Sequence, residues 1–137
     1  MSENKEKFPV SKTEEEWKEI LTKREFLVLR KGKTDPPYKN EYYHFDENGI
    51  FKCAACGNEL FDSEDKYDSG SGWPSFIRPI REVAVDYRDD YKLSHKRTEV
   101  ICNQCGSHLG HRFEDGPEPT GYRYCINSTS LEFEERK

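Results

Sequence analysis

The spacing of apolar residues changes part-way along this chain. Upstream of residue 39 it is helical: within TEEEWKEIL, Trp17, Ile20 and Leu21 recur at the interval that builds one helix face. Ser11 followed by Glu14 fits a capping box ahead of that run, so a first helix is expected there. A second short helix reads through EFLVLRKG and closes at Gly32, although FLVL on its own also suits a strand. TDPPYKN, with Pro36 and Pro37, must be extended or turning.

From Tyr42 onward the period shortens. YYHF, IFKC and CGNELF are β-like pieces split by turn formers, and Asn48-Gly49 between the first two suits a hairpin turn with positive φ. EVAVDY, TEVIC, YRYCIN and SLEFEE alternate, or are rich in β-branched and aromatic residues. The pattern predicts one mainly β, antiparallel domain spanning 1–137, with a helical arm over 1–38 and a β core over 39–137. One stretch stands apart: SGSGWPSF, residues 69–76, has too many turn formers for a strand interior and too much aromatic surface for an idle linker.

Composition narrows the class. A hydrophobic content of 33% and a mean hydropathy of −1.06 leave a modest core for 137 residues, so a further staple is expected. No apolar run approaches the roughly 18 residues of a membrane span, and the opening MSENKEK has no apolar stretch after it, which points to a soluble cytoplasmic protein. A net charge of −5 argues against a nucleic-acid surface. Lys23, Arg24, Arg30, Lys31 and Lys33 are the nearest approach to a basic patch and read as a solvated face and loop.

Five cysteines are an odd number, which a pure disulfide framework would not use up. Four of them form one device used twice: Cys53-Ala-Ala-Cys56-Gly and Cys102-Asn-Gln-Cys105-Gly, with 45 residues between the pairs. Two thiolates at that spacing curl onto one metal, and the following Gly relieves the turn beneath it. The reading is a structural zinc, one per chain. Iron in the same four sulfurs, a pair of redox C-x-x-C motifs and four unliganded thiols are the alternatives; a redox motif should follow a strand in a βαβ pattern, which this stretch does not offer. A closed four-thiolate site leaves no position for substrate, so this metal should stabilise and not catalyse.

Cys125, in RYCINSTSLEF, is left over. Strand alternation lets Arg123, Cys125 and Asn127 share one face, and an arginine beside a thiol favours the nucleophilic thiolate. Taken alone, Cys125 is better explained as a small buried hydrophobe than as a catalyst. His108 and His111 change that balance: paired histidines close in sequence to an unpaired thiol suggest acid–base chemistry around a nucleophile. His44 and His95 read as packing or hydrogen-bonding residues.

SGSGWPSF, the two C-x-x-C-G knuckles, CGSHLGHRFEDGP and GYRYCINSTSLEF together resemble the methionine-R-sulfoxide reductases, from roughly Lys39 to the C-terminus. The resemblance implies two antiparallel β-sheets with peripheral helices, and thiol-dependent reduction of methionine R-sulfoxide, free or in proteins, as a repair of oxidised methionine. It implies Cys125 as nucleophile, passing through a sulfenic acid, with Arg123 favouring its thiolate. By the same resemblance Trp73 matches the ring that receives the substrate's methyl group, Phe113 a second apolar wall, and His108, His111 and Asn127 the polar set around the sulfoxide oxygen. Cys53, Cys56, Cys102 and Cys105 match the zinc site of the metal-bearing members. On this reading SGSGWPSF holds a methyl pocket, with Pro74 and the glycines stiffening the turn that carries Trp73.

One position departs from many members: Ser71 stands where they carry a recycling cysteine. That favours direct reduction of the sulfenic acid by an external thiol over a disulfide handed to thioredoxin. Thioredoxin or another thiol is the expected partner of a monomer that uses neither nucleic acid nor membrane. The rival from another class is a zinc-ribbon binding module, which explains the knuckles but not the joint presence of RYCIN and SHLGH.

Overall fold

The computed structural model describes residues 8–92 and 95–136. The charged opening MSENKEK lies outside them. Among the described residues two helices lead, α1 (Glu14–Ile20) and α2 (Lys23–Lys31), each opened by a full capping box. For α1 the box is Thr13 with Glu16, not Ser11 with Glu14. Starting there places Glu14, Glu15 and Glu16 in the first turn, where the helix dipole favours negative charge. Trp17 and Leu21 are buried, while Ile20 points outward at 57% exposure. The ambiguous FLVL is helical: Thr22 and Glu25 cap it, Phe26, Val28 and Leu29 are buried, and Gly32 closes it at φ 77°.

Arg30 is not a solvated residue. Its guanidinium lies 4.7 Å from the Trp17 ring centroid and donates to Cys105 O and Ser107 Oγ, tying α2 to the second knuckle. Arg24 stays half exposed, as a solvated face requires, and pairs with Asp35. The long apolar stem of Arg30 lets it cover core surface while the charged head finds a partner.

Among the described residues nine strands form two antiparallel sheets. β1 (Gly49–Cys53) is the centre of a three-stranded sheet, between β2 (Glu59–Asp62) and β9 (Leu131–Glu135). The larger sheet has the order β3-β4-β8-β7-β6-β5, built from Lys66–Tyr67, Ser75–Phe76, Arg123–Ile126, His108–Phe113, Arg97–Cys102 and Val85–Asp90. EVAVDY is a strand only from Val85, because Glu82–Ala84 is a 3₁₀ turn. Phe51 of the small sheet meets Phe76 of the large one at 5.2 Å, and Phe76 stacks on Phe61 at 4.4 Å, so one aromatic core joins the two sheets.

YYHF is not a strand, and Asn48-Gly49 is not its hairpin turn. Residues 41–44 form a turn, and their aromatics serve as plugs: Tyr42 packs edge-on against Phe45 and Phe51. Gly49 opens β1 opposite Glu135 and has no positive φ. A Cβ there would stand 2.2 Å from the Glu134 carbonyl, so glycine is required by close strand approach.

Candidate active site and metal centre

The knuckles sit where each sheet ends. Cys53 closes β1 and Cys102 closes β6; Cys56 and Cys105 follow in the next turn. The two turns are built alike. Gly57 N–H donates to Cys53 O and Gly106 N–H to Cys102 O, both at 2.8 Å, with φ of 82° and 78° at the two glycines. Only glycine adopts that conformation without strain. Between them the four sulfurs lie within 4.8 Å of one another, with Cys53–Cys105 at 3.8 Å and Cys56–Cys102 at 3.6 Å. A tetrahedral ion with sulfur at about 2.3 Å demands sulfur–sulfur separations of about 3.8 Å. The arrangement therefore fits a tetrahedral metal ion bridging the two sheets. Four thiolates this close would repel one another, so they need a cation to coexist.

Cys125 lies 20 residues past the last knuckle cysteine, on β8, opposite His111 of β7 and Ser75 of β4. It opens on a cavity of about 270 Å³. Trp73 and Phe113 form apolar walls; His111, Arg123 and Asn127 supply the polar ones. A larger hollow of about 460 Å³, around Tyr43, Glu64 and Asp68, contains no cysteine. Gly110, between the histidines, permits this geometry: a Cβ there would meet the Cys125 carbonyl at 2.0 Å and force β7 from β8.

Each polar wall is held by a partner. The Arg123 guanidinium forks onto Asp115, at 2.9 and 3.2 Å, and lies 4.4 Å from the Phe113 ring centroid. Burial pushes the Cys125 thiol up, while Arg123 and the Ser71 hydroxyl pull it back. His111 Nε2 donates to Asp90 at 2.7 Å. Burial nonetheless holds His111 below its ordinary value. Asp90 is drawn down to about 2 by the Lys92 backbone N–H, His111 and Arg97. Asn127 is 4% exposed, its amide donating to Leu109 O and its oxygen accepting from the Asp35 N–H.

His108 occupies a different place from His111. It is 5% exposed and stands behind its neighbour, with ring centroids 5.6 Å apart, and does not line the cavity. Its Nδ1 bonds Glu99 at 2.7 Å, and its Nε2 is buried with no hydrogen-bond partner among the described residues. Burial works against ionising Glu99, but His108 and Arg88 outweigh it and hold the carboxyl low. The remaining histidines, His44 and His95, are exposed; the His44 ring lies tilted against that of Tyr43.

Sequence reasoning missed Asp35, Asp90, Arg97 and Glu99. Asp35 lay in TDPPYKN, read as extended or turning; Asp90 and Arg97 fell outside the predicted strand pieces, and Glu99 lay in TEVIC with no role assigned. Strand alternation from the histidines could have found Glu99, which pairs with His111 across β6 and β7.

A SelR domain model matches residues 21–135. A peptide methionine sulfoxide reductase MsrB of Methanosarcina mazei is 52% identical over 133 residues, 97% of this chain and 92% of that protein. Proteins of the same name from Leptospira interrogans and Acinetobacter baylyi are each 47% identical, over 93% and 90% of this chain and 97% and 88% of their own. With the domain match and these relatives spanning both the thiol cluster and the cavity, the chain belongs to the SelR-domain family of methionine-R-sulfoxide reductases.

Proposed function

We propose that Cys125 is the nucleophile of this reductase, acting in the cavity walled by Trp73, Phe113, His111, Arg123 and Asn127. The protein reduces methionine R-sulfoxide to methionine. The observation that carries the site is that Cys125 alone of the five cysteines stands outside the thiol cluster, and that it does so inside a hollow of mixed polarity. A methyl sulfoxide has an apolar methyl, an apolar stem and one strongly accepting oxygen. Trp73 and Phe113 take the apolar parts, leaving the oxygen toward His111 and Asn127.

At neutral pH burial favours the Cys125 thiol and the neutral His111 imidazole, so the pair carries one proton between them. That is the proton the reaction consumes. The Cys125 sulfur gives two electrons to the sulfoxide sulfur, the oxygen passes to Cys125, and the thiol's proton reaches that oxygen by way of His111. The products are methionine and the Cys125 sulfenic acid. Asp90 orients the imidazole and stabilises its charged form in transit. His108 supports His111 from behind, through its Glu99 bond and the ring contact.

Ser71 lines the cavity where many members carry a recycling thiol, so two external thiols complete the cycle, forming a disulfide and water while restoring Cys125. Thioredoxin or a small thiol fills that role. The four knuckle cysteines hold one zinc, which supplies cross-linking of the two sheets and no step of the reaction. No helix among the described residues is long and apolar enough to cross a membrane. A net charge of −5, an odd number of cysteines and, among the described residues, exposed large hydrophobics drawn from four separate segments support a cytoplasmic monomer without a nucleic-acid partner. The whole chain, 1–137, is read as one domain. The deciding experiment is turnover of resolved R and S methionine sulfoxides by wild type and Cys125→Ser. Activity confined to the R epimer and absent from the variant is expected; full activity in the variant refutes the site.

A further inference from the structure

Asp35 does not line the cavity, yet two of the cavity's side chains end on its backbone. The Trp73 indole N–H donates to the Asp35 carbonyl at 2.9 Å. The Asn127 oxygen accepts from the Asp35 N–H at 2.8 Å. The N–H and the carbonyl of one residue lie in the two peptide units that flank its Cα, and they can hold two side chains in place only if that residue is itself fixed; here the fixing comes from the Asp35 carboxylate. Oδ1 accepts from Arg24 at 2.7 Å and from the Thr129 hydroxyl at 2.6 Å; Oδ2 accepts from the Thr129 N–H at 2.9 Å.

Asp35 is 3% exposed. Burying a carboxylate costs several kcal/mol unless charge and lone pairs are met, and three donors, one of them cationic, meet them here. A connecting turn needs no such anchor. The residues after it continue the clamp, since Tyr38 N–H and Asn40 Nδ2 both donate to the carbonyl of Gly72, next to Trp73, at 2.8 and 2.9 Å. The segment between α2 and the β core thus grips the loop that carries the methyl-facing ring.

We propose that Asp35 is a positioning residue for the reductase reaction: its carboxylate pins the backbone that fixes Trp73 and Asn127 relative to each other, and thereby fixes which sulfoxide epimer fits. The proposal rests on the cavity being the sulfoxide site. Telling epimers apart requires three fixed points: the ring for the methyl, the attacking sulfur and the polar pocket for the oxygen. Letting the ring and the polar pocket drift apart weakens binding and selection together, without touching the ionisation of Cys125.

The test is steady-state kinetics on both epimers for Asp35→Ala and Thr129→Val, each alone and combined with Trp73→Phe, which keeps an aromatic ring but removes the N–H. Asp35→Ala should raise KM for the R epimer about tenfold, the equivalent of one hydrogen-bond-sized restraint, with a smaller change in kcat. Thr129→Val should shift KM the same way by less, and covers the case in which Asp35→Ala folds poorly. Relative use of the S epimer should rise in both. In the Trp73→Phe background Asp35→Ala should have a smaller effect than in wild type, because one of the two bonds it protects is already gone. The pH dependence of Cys125 alkylation should be unchanged. Factors that simply multiply in the double variant, or a lowered melting temperature with wild-type KM and selectivity, would overturn the positioning role. Trp73→Ala with wild-type kinetics would overturn the sulfoxide site, and this proposal with it; a Trp73→Ala defect alongside multiplicative factors overturns Asp35 alone.

Discussion

The thiol cluster and the cavity use the same side chain for opposite ends, and what separates them is the company each sulfur keeps. Cys53, Cys56, Cys102 and Cys105 face one another at the spacing of a tetrahedral shell, in twin turns that place them by backbone geometry alone. Every direction around that shell is taken. Cys125 has no thiol neighbour within the cluster, and its surroundings are a cation, a hydroxyl, an imidazole and an open side. A thiolate bound to a metal within such a shell would be held out of reaction; one beside a guanidinium, with space in front of it, can attack.

The contrast breaks most visibly if the cluster is emptied. A chelator strong enough to remove the metal, or Cys53→Ala, should unfold the chain, since the cluster links two small sheets whose core is modest. Circular dichroism followed against metal content checks this. Cys125→Ser should do the reverse, abolishing turnover while leaving metal content unchanged and the melting temperature within a few degrees, because Ser fills nearly the same volume in a half-buried site. Chelation that leaves the fold intact would show that the cluster is not the staple.

Both cysteine environments were legible in the sequence because each is encoded locally: C-x-x-C-G specifies its own turn, and strand alternation puts Arg123, Cys125 and Asn127 on one face. What lay beyond reach came from long-range partners. Asp35 meets Asn127 and Thr129 more than ninety positions away, and Asp90 meets His111 across two strand pairings. Neither contact leaves a local pattern. YYHF misled for a related reason: its aromatics are apolar because they plug the core from a turn, and burial of that kind mimics a strand. The helix–strand ambiguity of FLVL fell to the caps, Thr22 with Glu25 and Gly32, whose signal was stronger than the apolar run.

A gentler probe of the cavity is its proton count. If the reactive form holds one proton between Cys125 and His111, kcat/KM should form a plateau. Its acid limb should lie below the ordinary histidine value of 6.5 and its alkaline limb above the ordinary thiol value of 9.0. Asp90→Asn should move the acid limb lower still, because Asp90 raises His111 against its burial. His111→Gln should lose about a hundredfold in kcat and the acid limb with it. Stability carries the same sign. Unfolded His111 binds its proton near 6.5 and folded His111 only at lower pH, so the contribution present above pH 6.5 is lost as pH falls through that window. A calorimetric series showing no drop in melting temperature there for wild type relative to His111→Gln would contradict the assignment.

The smallest expected effect on rate comes from Ser71, and it sharpens the comparison most, because the substitution adds a sixth cysteine on the cavity side. Without reductant, wild type given excess methionine R-sulfoxide should release about one methionine per chain and stop, its mass raised by one oxygen on Cys125. Ser71→Cys should run the same first turnover at a similar rate, since Ser71 contributes only one of several pulls on the Cys125 sulfur. Its product should differ: the new thiol lines the same cavity, so it condenses with the sulfenic acid to a 71–125 disulfide and water. Thioredoxin should then recycle the variant faster than wild type. Intact-mass and peptide mapping separate the two end states, with metal content measured in both. Wild-type enzyme ending with Cys125 linked to Cys53, Cys56, Cys102 or Cys105, and metal released in step with methionine, would mean that the cluster lends a thiol to the cavity and that the two regions are not chemically separate.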